Sequence, residues 1–387
     1  MAQDFLLVAK WIVPVVPAGA LEDHALAVRG GRIEAVLPAG EARARYGELE
    51  QIELPHHIVL PGFVSARTKA AAVLLRGLQG ERREAAERAL LSAQFVLDGT
   101  QLACAEMIAG GITCFHDEYF FPEASLEAAR AMGLRSAHAI LAAEAPSAYA
   151  SDPADYLRKG LALRDSARDD PLAAFSIAAL RAQSLSDAAL RRAASVAAEL
   201  DLPVHVDLGE IAVERLHKLG LLGPSLVAGS RAPLLAAEVE LLARHGCWVV
   251  PCHGGGVPGS GLNVAIGTGP HRLDAFEAMR ATGLAPQPAL RAATLGGACA
   301  LGLDKRVGSL EPGKAADLVA LDASAPGLQP CHDPVAQAVL AAGREHVSHV
   351  WVAGSPVLAA ASLQNAPFSR LDTRYDLWQN AVARAGS

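Results

Sequence analysis

"LPGFVSARTKAAAVLLRG", residues 60–77, is where the chain changes its periodicity. An apolar run from Ile58 to Val64 is broken by Pro61-Gly62, and an Ala/Leu stretch suited to a helix follows. At this strand-to-helix switch stand Arg67 and Lys69, spaced i, i+2, which places both side chains on one face of a strand end.

The pattern repeats outward from that switch. Between about 61 and 305, short apolar runs alternate with helical patterns, the mark of βα units and a parallel sheet. Eight strands are expected, near 63–66, 112–116, 136–141, 175–179, 203–208, 226–229, 247–251 and 263–267. The helix expected over 186–200 starts on a Ser cap with Asp187 in its first turn. Eight parallel strands predict a (β/α)8 barrel with its chemistry at the C-terminal strand ends. Only "CHGGGVPGSGL", 252–262, separates the last two strands. A parallel crossover takes about a dozen or more residues and usually a helix, so a trimmed barrel lacking one helix is expected.

The two ends read differently. "HALAVRGGRIEAVL" (24–37) alternates around Gly30-Gly31, a hairpin signal. "ADLVALD" (316–322) and "VSHVWVAGSPVL" (347–358), with a turn at Gly354-Ser355, return to the same style. The expected organisation is 1–60 as the first part of a small β-sandwich domain, 61–305 as the barrel and 306–365 as the rest of the sandwich. A tail or helix over 366–387 completes it.

Composition bounds the rest. The 387 residues are 51% hydrophobic and 19% charged, which supplies a large core. A net charge of −7 argues against nucleic acid or an anionic membrane as partner. Six scattered cysteines (104, 114, 247, 252, 299 and 331) without a CxxC pair read as reduced thiols, and a cytoplasmic location is expected. The N-terminus, with Asp4, Lys10 and Pro14, has the pattern of neither a signal peptide nor a membrane span.

Further stretches carry a resemblance: "DFLLVAKWIVPV", "GGITCFHDEYFFPEA", "LPVHVDLGE", "LGLLGPSLVA", "NVAIGTG", "LDAFEAMR" and "RVGSLEPGKAADLVALD". Together with residues 60–77, they resemble the amidohydrolase superfamily, in its branch of 5′-methylthioadenosine/S-adenosylhomocysteine deaminases and triazine hydrolases. The resemblance covers nearly the whole chain and implies a (β/α)8 barrel with a β-sandwich built from both ends. It also implies one divalent metal, usually zinc or iron, held by a His-x-His pair after strand one, a His after strand five and an Asp after strand eight. A Glu three residues past the strand-five His shuttles the proton in that family.

This chain departs from the implied site at each ligand. The His-x-His positions are Arg67 and Lys69, the strand-five His is Asp207, and the strand-eight Asp is Gly269. Glu210 keeps the shuttle position, while the family's substrate-side histidines after strands four and six are Leu180 and Ser230. Arginine has no lone pair to give a metal and stays charged. The expectation is therefore a metal-free, cofactor-free member that binds a small molecule, as a homodimer or beside an active relative. A C–N hydrolase of the deaminase type with a rearranged site is the competing expectation, and a barrel using Lys69 as an amine catalyst is a third.

Removing a metal from such a site leaves buried carboxylates that need partners. Arg67 and Lys69 are expected to pair with Asp207 and Glu210. His205, one pleat before Asp207, reads as a hydrogen-bonded barrel histidine, and His116-Asp117 as a structural pair. Cys252, His253 and His271 fall after strands seven and eight, where they could line a pocket but have no recognised ligand spacing. "GGG" (254–256) lacks the Lys-Ser/Thr and helix start of a phosphate loop. "YFFPE" (119–123) reads as an aromatic, exposed patch suited to an interface.

Overall fold

The computed structural model describes residues 3–209, 211–230, 232–251, 261–269, 272–365 and 368–385. Glu210, Cys252, His253, the 254–256 glycines and His271 lie outside them, as does nearly all of the 252–262 connection.

Four strands open the chain: β1 (Phe5–Ile12), β2 (Leu21–Arg29), β3 (Arg32–Pro38) and β4 (Glu50–Pro61). The next eight are β5 (Phe63–Thr68), β6 (Ile112–Asp117), β7 (Arg135–Ala142) and β8 (Ala173–Ala179), then β9 (Val204–Asp207), β10 (Leu226–Ser230), β11 (Trp248–Pro251) and β12 (Asn263–Val264). They form one parallel sheet in simple sequence order. The sheet closes on itself. Ala66 donates its N–H to Ile266 O at 2.8 Å, and Thr68 bridges Gly269 in parallel. Helices such as Ala93–Ala109, Pro122–Met132 and Asp187–Glu199 fill the crossovers, and Ser186 caps the last by accepting from Ala189 N–H. The fold is a TIM-type (β/α)8 barrel.

The remaining strands are β13 (Leu318–Asp322), β14 (Val347–Val352), β15 (Ser355–Ala359) and β16 (Ser362–Leu363). They join the first four in one mixed sheet of order β16-β15-β14-β13-β4-β1-β2-β3, the seam being the antiparallel pairing of β4 with β13. Gly30-Gly31 makes the β2–β3 turn, and the β14–β15 turn falls at Ala353-Gly354, one residue earlier than the pattern suggests.

The Pro61-Gly62 break passes the chain from one sheet to the other. A Cβ on Gly62 would lie 2.1 Å from Thr113 Oγ1, so only glycine lets β4 turn into β5 against β6. A buried pair ties the two sheets nearby. Arg135 of β7 donates through Nε and Nη2 to Asp317 at 2.9 and 3.1 Å, and Asp317 also accepts from Ala353 N–H at 2.8 Å.

One reading needs adjustment. Tyr119 of the aromatic stretch is buried, with its hydroxyl on Glu87, and Phe120 and Phe121 are half-buried, so the stretch packs inward rather than forming an open patch. The five described cysteines are free thiols. Among the described residues no helix is long and apolar enough to cross a membrane. The tail forms the helix Phe368–Ala385, whose Trp378 indole donates to buried Asp98 at 2.9 Å and meets Phe95 edge-on.

Candidate functional site

Three strand ends each present two polar side chains spaced i, i+2 into the barrel mouth: Arg67 and Lys69, His116 and Glu118, His205 and Asp207. The alternation of a strand sends both members of each pair to the same side. Barrel closure then brings the three pairs together.

Arg67 is the centre of the cluster. Its Nε donates to Glu118 Oε2 at 3.0 Å and its Nη2 to Asp207 Oδ2 at 2.8 Å. The three residues are 8%, 9% and 5% exposed, so this is a desolvated bridge and not a surface contact. Asp207 Oδ1 accepts from Gly209 N–H at 2.9 Å. Space for the guanidinium comes from β10. A Cβ on Gly229 would sit 1.9 Å from Arg67 Nη1, and Gly229 is the register partner of Asp207.

Glu118 also holds His205, whose Nδ1 lies 3.1 Å from Oε1. Burial alone would raise the Glu118 carboxyl. The Arg67 charge, with the hydrogen bond and charge of His205, prevails and holds it well below the usual carboxylate range. His116 stacks on His205 with ring centres 3.8 Å apart and planes 21° from parallel. Its Nε2 shares a 2.6 Å hydrogen bond with Ser176 Oγ, and its Nδ1 is 3.7 Å from Glu118 Oε1. Burial first, then the neighbouring His205, pushes the His116 imidazole well below its ordinary pKa. His116 Nδ1 and His205 Nε2 are buried without a hydrogen-bond partner.

The remaining expected residues fall as follows. Lys69 is half-buried and lines a small cleft with Leu180, Arg181 and His205. Ser230 is buried and donates to Ala232 O at 2.6 Å, and Gly269 ends the barrel closure. Asp117 faces away from the cluster. It accepts from Ala70 N–H at 2.9 Å and from Ser125 Oγ at 2.6 Å, and burial pushes its carboxyl up to about 6. The expected pairing thus holds for Arg67 with Asp207, whereas half of the bridge falls on Glu118. His116 separates from Asp117 in role and joins the mouth. Glu118 is the residue that sequence reasoning missed. Its signal was the His116-x-Glu118 spacing, which repeats the spacing of Arg67-x-Lys69 and His205-x-Asp207.

A divalent ion needs lone pairs from several donors at one point. Positions 67, 69, 207 and 269 offer a guanidinium, an amine on a lysine stem, a carboxylate already bound by arginine, and no side chain. That set does not fit an ion. A second set does by separation: ligand atoms of His116, Glu118 and His205 all lie within 4.8 Å of one another. This trio weakens the expectation of a lost metal site, which counted only the four family positions. An imidazole ligates along the lone pair in its own ring plane, so the stacked rings must turn before both reach one ion.

Comparison with known proteins agrees with this architecture. The amidohydrolase family model matches residues 58–266 and 256–357. A 5-methylthioadenosine/S-adenosylhomocysteine deaminase of Teredinibacter turnerae is 34% identical, covering 98% of each chain. The enzyme of that name from Saccharophagus degradans is 32% identical over 98% of this chain and 96% of its own. A zinc-bound adenosine deaminase from Xanthomonas campestris superposes with a TM-score of 0.93 at 34% identity, covering 99% of both chains. A mutant atrazine chlorohydrolase from Arthrobacter aurescens, complexed with zinc and atraton, shares the fold at 18% identity with a TM-score of 0.84, over 97% of this chain and 99% of that one. The barrel, the second sheet and these matches lead to one conclusion: the chain belongs to the amidohydrolase family.

Proposed function

We propose that this protein is an amidohydrolase-family member in which the Arg67 guanidinium takes the place of the divalent ion, and which acts by binding at the barrel mouth rather than by deaminating aminopurine nucleosides. The observation that carries this reading is the Arg67 side chain buried between Glu118 and Asp207. A fixed cation satisfies the carboxylates, as an ion would, but it cannot turn water into a nucleophile near neutral pH. Hydrolysis of an aminopurine needs such a nucleophile. Without activation the pKa of water stays near 15.7.

The reading is tested by offering 5′-methylthioadenosine, S-adenosylhomocysteine and adenosine to the purified protein and following ammonia release. No turnover above the protein-free blank is expected, with or without added zinc. Turnover that scales with protein purity sinks it. Arg67→His with Lys69→His is not expected to revive deamination, because Asp207, Ser230 and Gly269 still differ from the set the family uses. The same reading includes a homodimer or a complex with an active relative, and a monomer by light scattering both alone and beside that relative counts against this part.

A second reading is favoured by the His116, Glu118 and His205 separation: a rearranged metal centre that hydrolyses C–N bonds. It predicts metal-dependent turnover that is lost in His116→Ala and in His205→Ala. An amine role for Lys69 predicts trapping of a carbonyl compound by borohydride, lost in Lys69→Ala.

A further inference from the structure

The end of the barrel where the strands begin carries two further imidazoles, away from the mouth. The helices Val213–Lys218 and Ala236–Arg244 contact each other and lead into β10 and β11. Each stops in a turn with a left-handed glycine, Gly220 at φ 71° and Gly246 at φ 67°. Leu221 N–H closes the first turn on Leu216 O at 3.0 Å, and Cys247 N–H the second on Leu242 O at 3.0 Å. Asn263 Nδ2 donates to Gly246 O at 3.0 Å and ties the second turn to β12. From these two helix ends project exposed His217 and half-buried His245.

The spacing of the two rings is that of a shared ion. Two imidazoles on one tetrahedral zinc, each bound at ~2.0–2.1 Å, have ring centres about 5 Å apart. Those of His217 and His245 are 5.2 Å apart, with planes 58° from parallel. The His116–His205 stack, at 3.8 Å and 21°, lacks this arrangement. Glu214 stands one helical turn before His217, so both side chains lie on one face. A Glu-x-x-His pair on a helix is a spacing that metal sites use. The Glu214 carboxylate lies 2.7 Å from Lys218 Nζ, the two side chains being 74% and 71% exposed. An exposed pair of this kind holds its members weakly, so the carboxylate is free to turn toward an ion. The hydrogen bond and charge of Lys218, with a smaller pull from His217, hold the Glu214 carboxyl below its ordinary pKa, and it is ionised at neutral pH. Other cations nearby are engaged, Arg215 with Asp187 at 2.7 Å and Arg244 with Glu240 at 2.6 Å.

We propose that Glu214, His217 and His245 form a surface site for one divalent ion of the zinc class, with water in the fourth position. The site is independent of how the mouth is read. Its exposed ligands let the ion exchange with solvent, so it is taken up from added zinc and lost on dialysis.

The test adds zinc chloride to dialysed full-length protein and follows binding by calorimetry. Cobalt(II) in place of zinc reports the ligand geometry through its visible absorption. One equivalent of zinc is expected to bind, and cobalt is expected to show the strong absorption of a tetrahedral centre. His217→Ala and His245→Ala each weaken zinc binding by about a hundredfold and Glu214→Gln by about tenfold, the range that loss of even an outer partner of a metal site costs. Melting temperatures measured without zinc, unchanged in the three variants, show that they fold. Absence of binding to the unaltered protein overturns the proposal. So does unchanged affinity in any of the three variants. Binding that disappears instead in His116→Ala with His205→Ala places the ion at the mouth and also overturns it.

Discussion

Two buried arginines hold this barrel at opposite ends, and they are built differently. Arg135 meets a single carboxylate, Asp317, with two parallel hydrogen bonds, and its Nη1 reaches Pro171 O at 2.8 Å. Every polar atom of that pair is satisfied, and its work is to lock β7 to the second sheet. Arg67 spans two carboxylates from different strands, and next to it two imidazole nitrogens stay unpartnered. Structural ion pairs close their hydrogen bonds, whereas a site that receives something keeps some open. In the proposed reading, the open end of this contrast, the mouth, is where the protein acts, and the closed one, the seam, is where it gains stability.

The largest expected effect lies at the seam. Arg135→Met strands Asp317 away from water and is expected to cost about 5 kcal/mol, the upper end for breaking a buried pair from one side. Urea unfolding measures it. A loss below that of the corresponding change at the mouth would invert the comparison.

Arg67→Met is expected to cost about 3 kcal/mol, the lower end, because the cleft lets water reach the stranded carboxylates. Adding Asp207→Asn should recover part of the loss, a coupling that a double-mutant cycle reads directly. Independent, additive losses would show that the two side chains do not act as a pair.

Gly229→Ala comes next. The new methyl overlaps the guanidinium, which is pinned by its two carboxylates, and overpacking of this kind costs about 1–3 kcal/mol. In the Arg67→Met background the penalty should shrink, since the obstructing atoms are gone. A penalty unchanged there would place the clash elsewhere.

The smallest effects are two opposed slopes with pH. Glu118 is depressed from its ordinary 4.5, so its contribution is present above that value and fades as pH falls through its folded pKa. Asp117 is raised from 3.8 to about 6, so its contribution is full below 3.8 and fades as pH rises through about 6. Glu118→Gln should flatten the acid limb of a stability profile, and Asp117→Asn the decline between about pH 4 and 6. The reverse assignment would show that these neighbours do not point to opposite sides of β6.

How much of this was legible in the sequence depends on the range of the interaction. The eight barrel strands and the Gly30-Gly31 hairpin follow from local periodicity and turn chemistry, which a stretch of ten residues carries by itself. The Arg67–Asp207 bridge came from aligning strand ends one and five through a resemblance. The His116-x-Glu118 spacing put Glu118 on a strand end, but its partners and the His116–His205 stack were not legible, because barrel register brings β6 and β9 within reach across the mouth. The burial of Tyr119 was missed for the same reason. Its partner Glu87 lies 32 residues earlier, on the helix Gly80–Leu90.

Whether a guanidinium fills the role of an ion is decided by elemental analysis of the purified full-length protein. Zinc, iron and manganese together are expected well below one equivalent after growth in medium supplied with all three, with Arg67→Ala unable to raise that content. One tightly held equivalent in the unaltered protein, lost in His116→Ala and His205→Ala, would rule out that role for Arg67 and establish a metal centre at His116, Glu118 and His205.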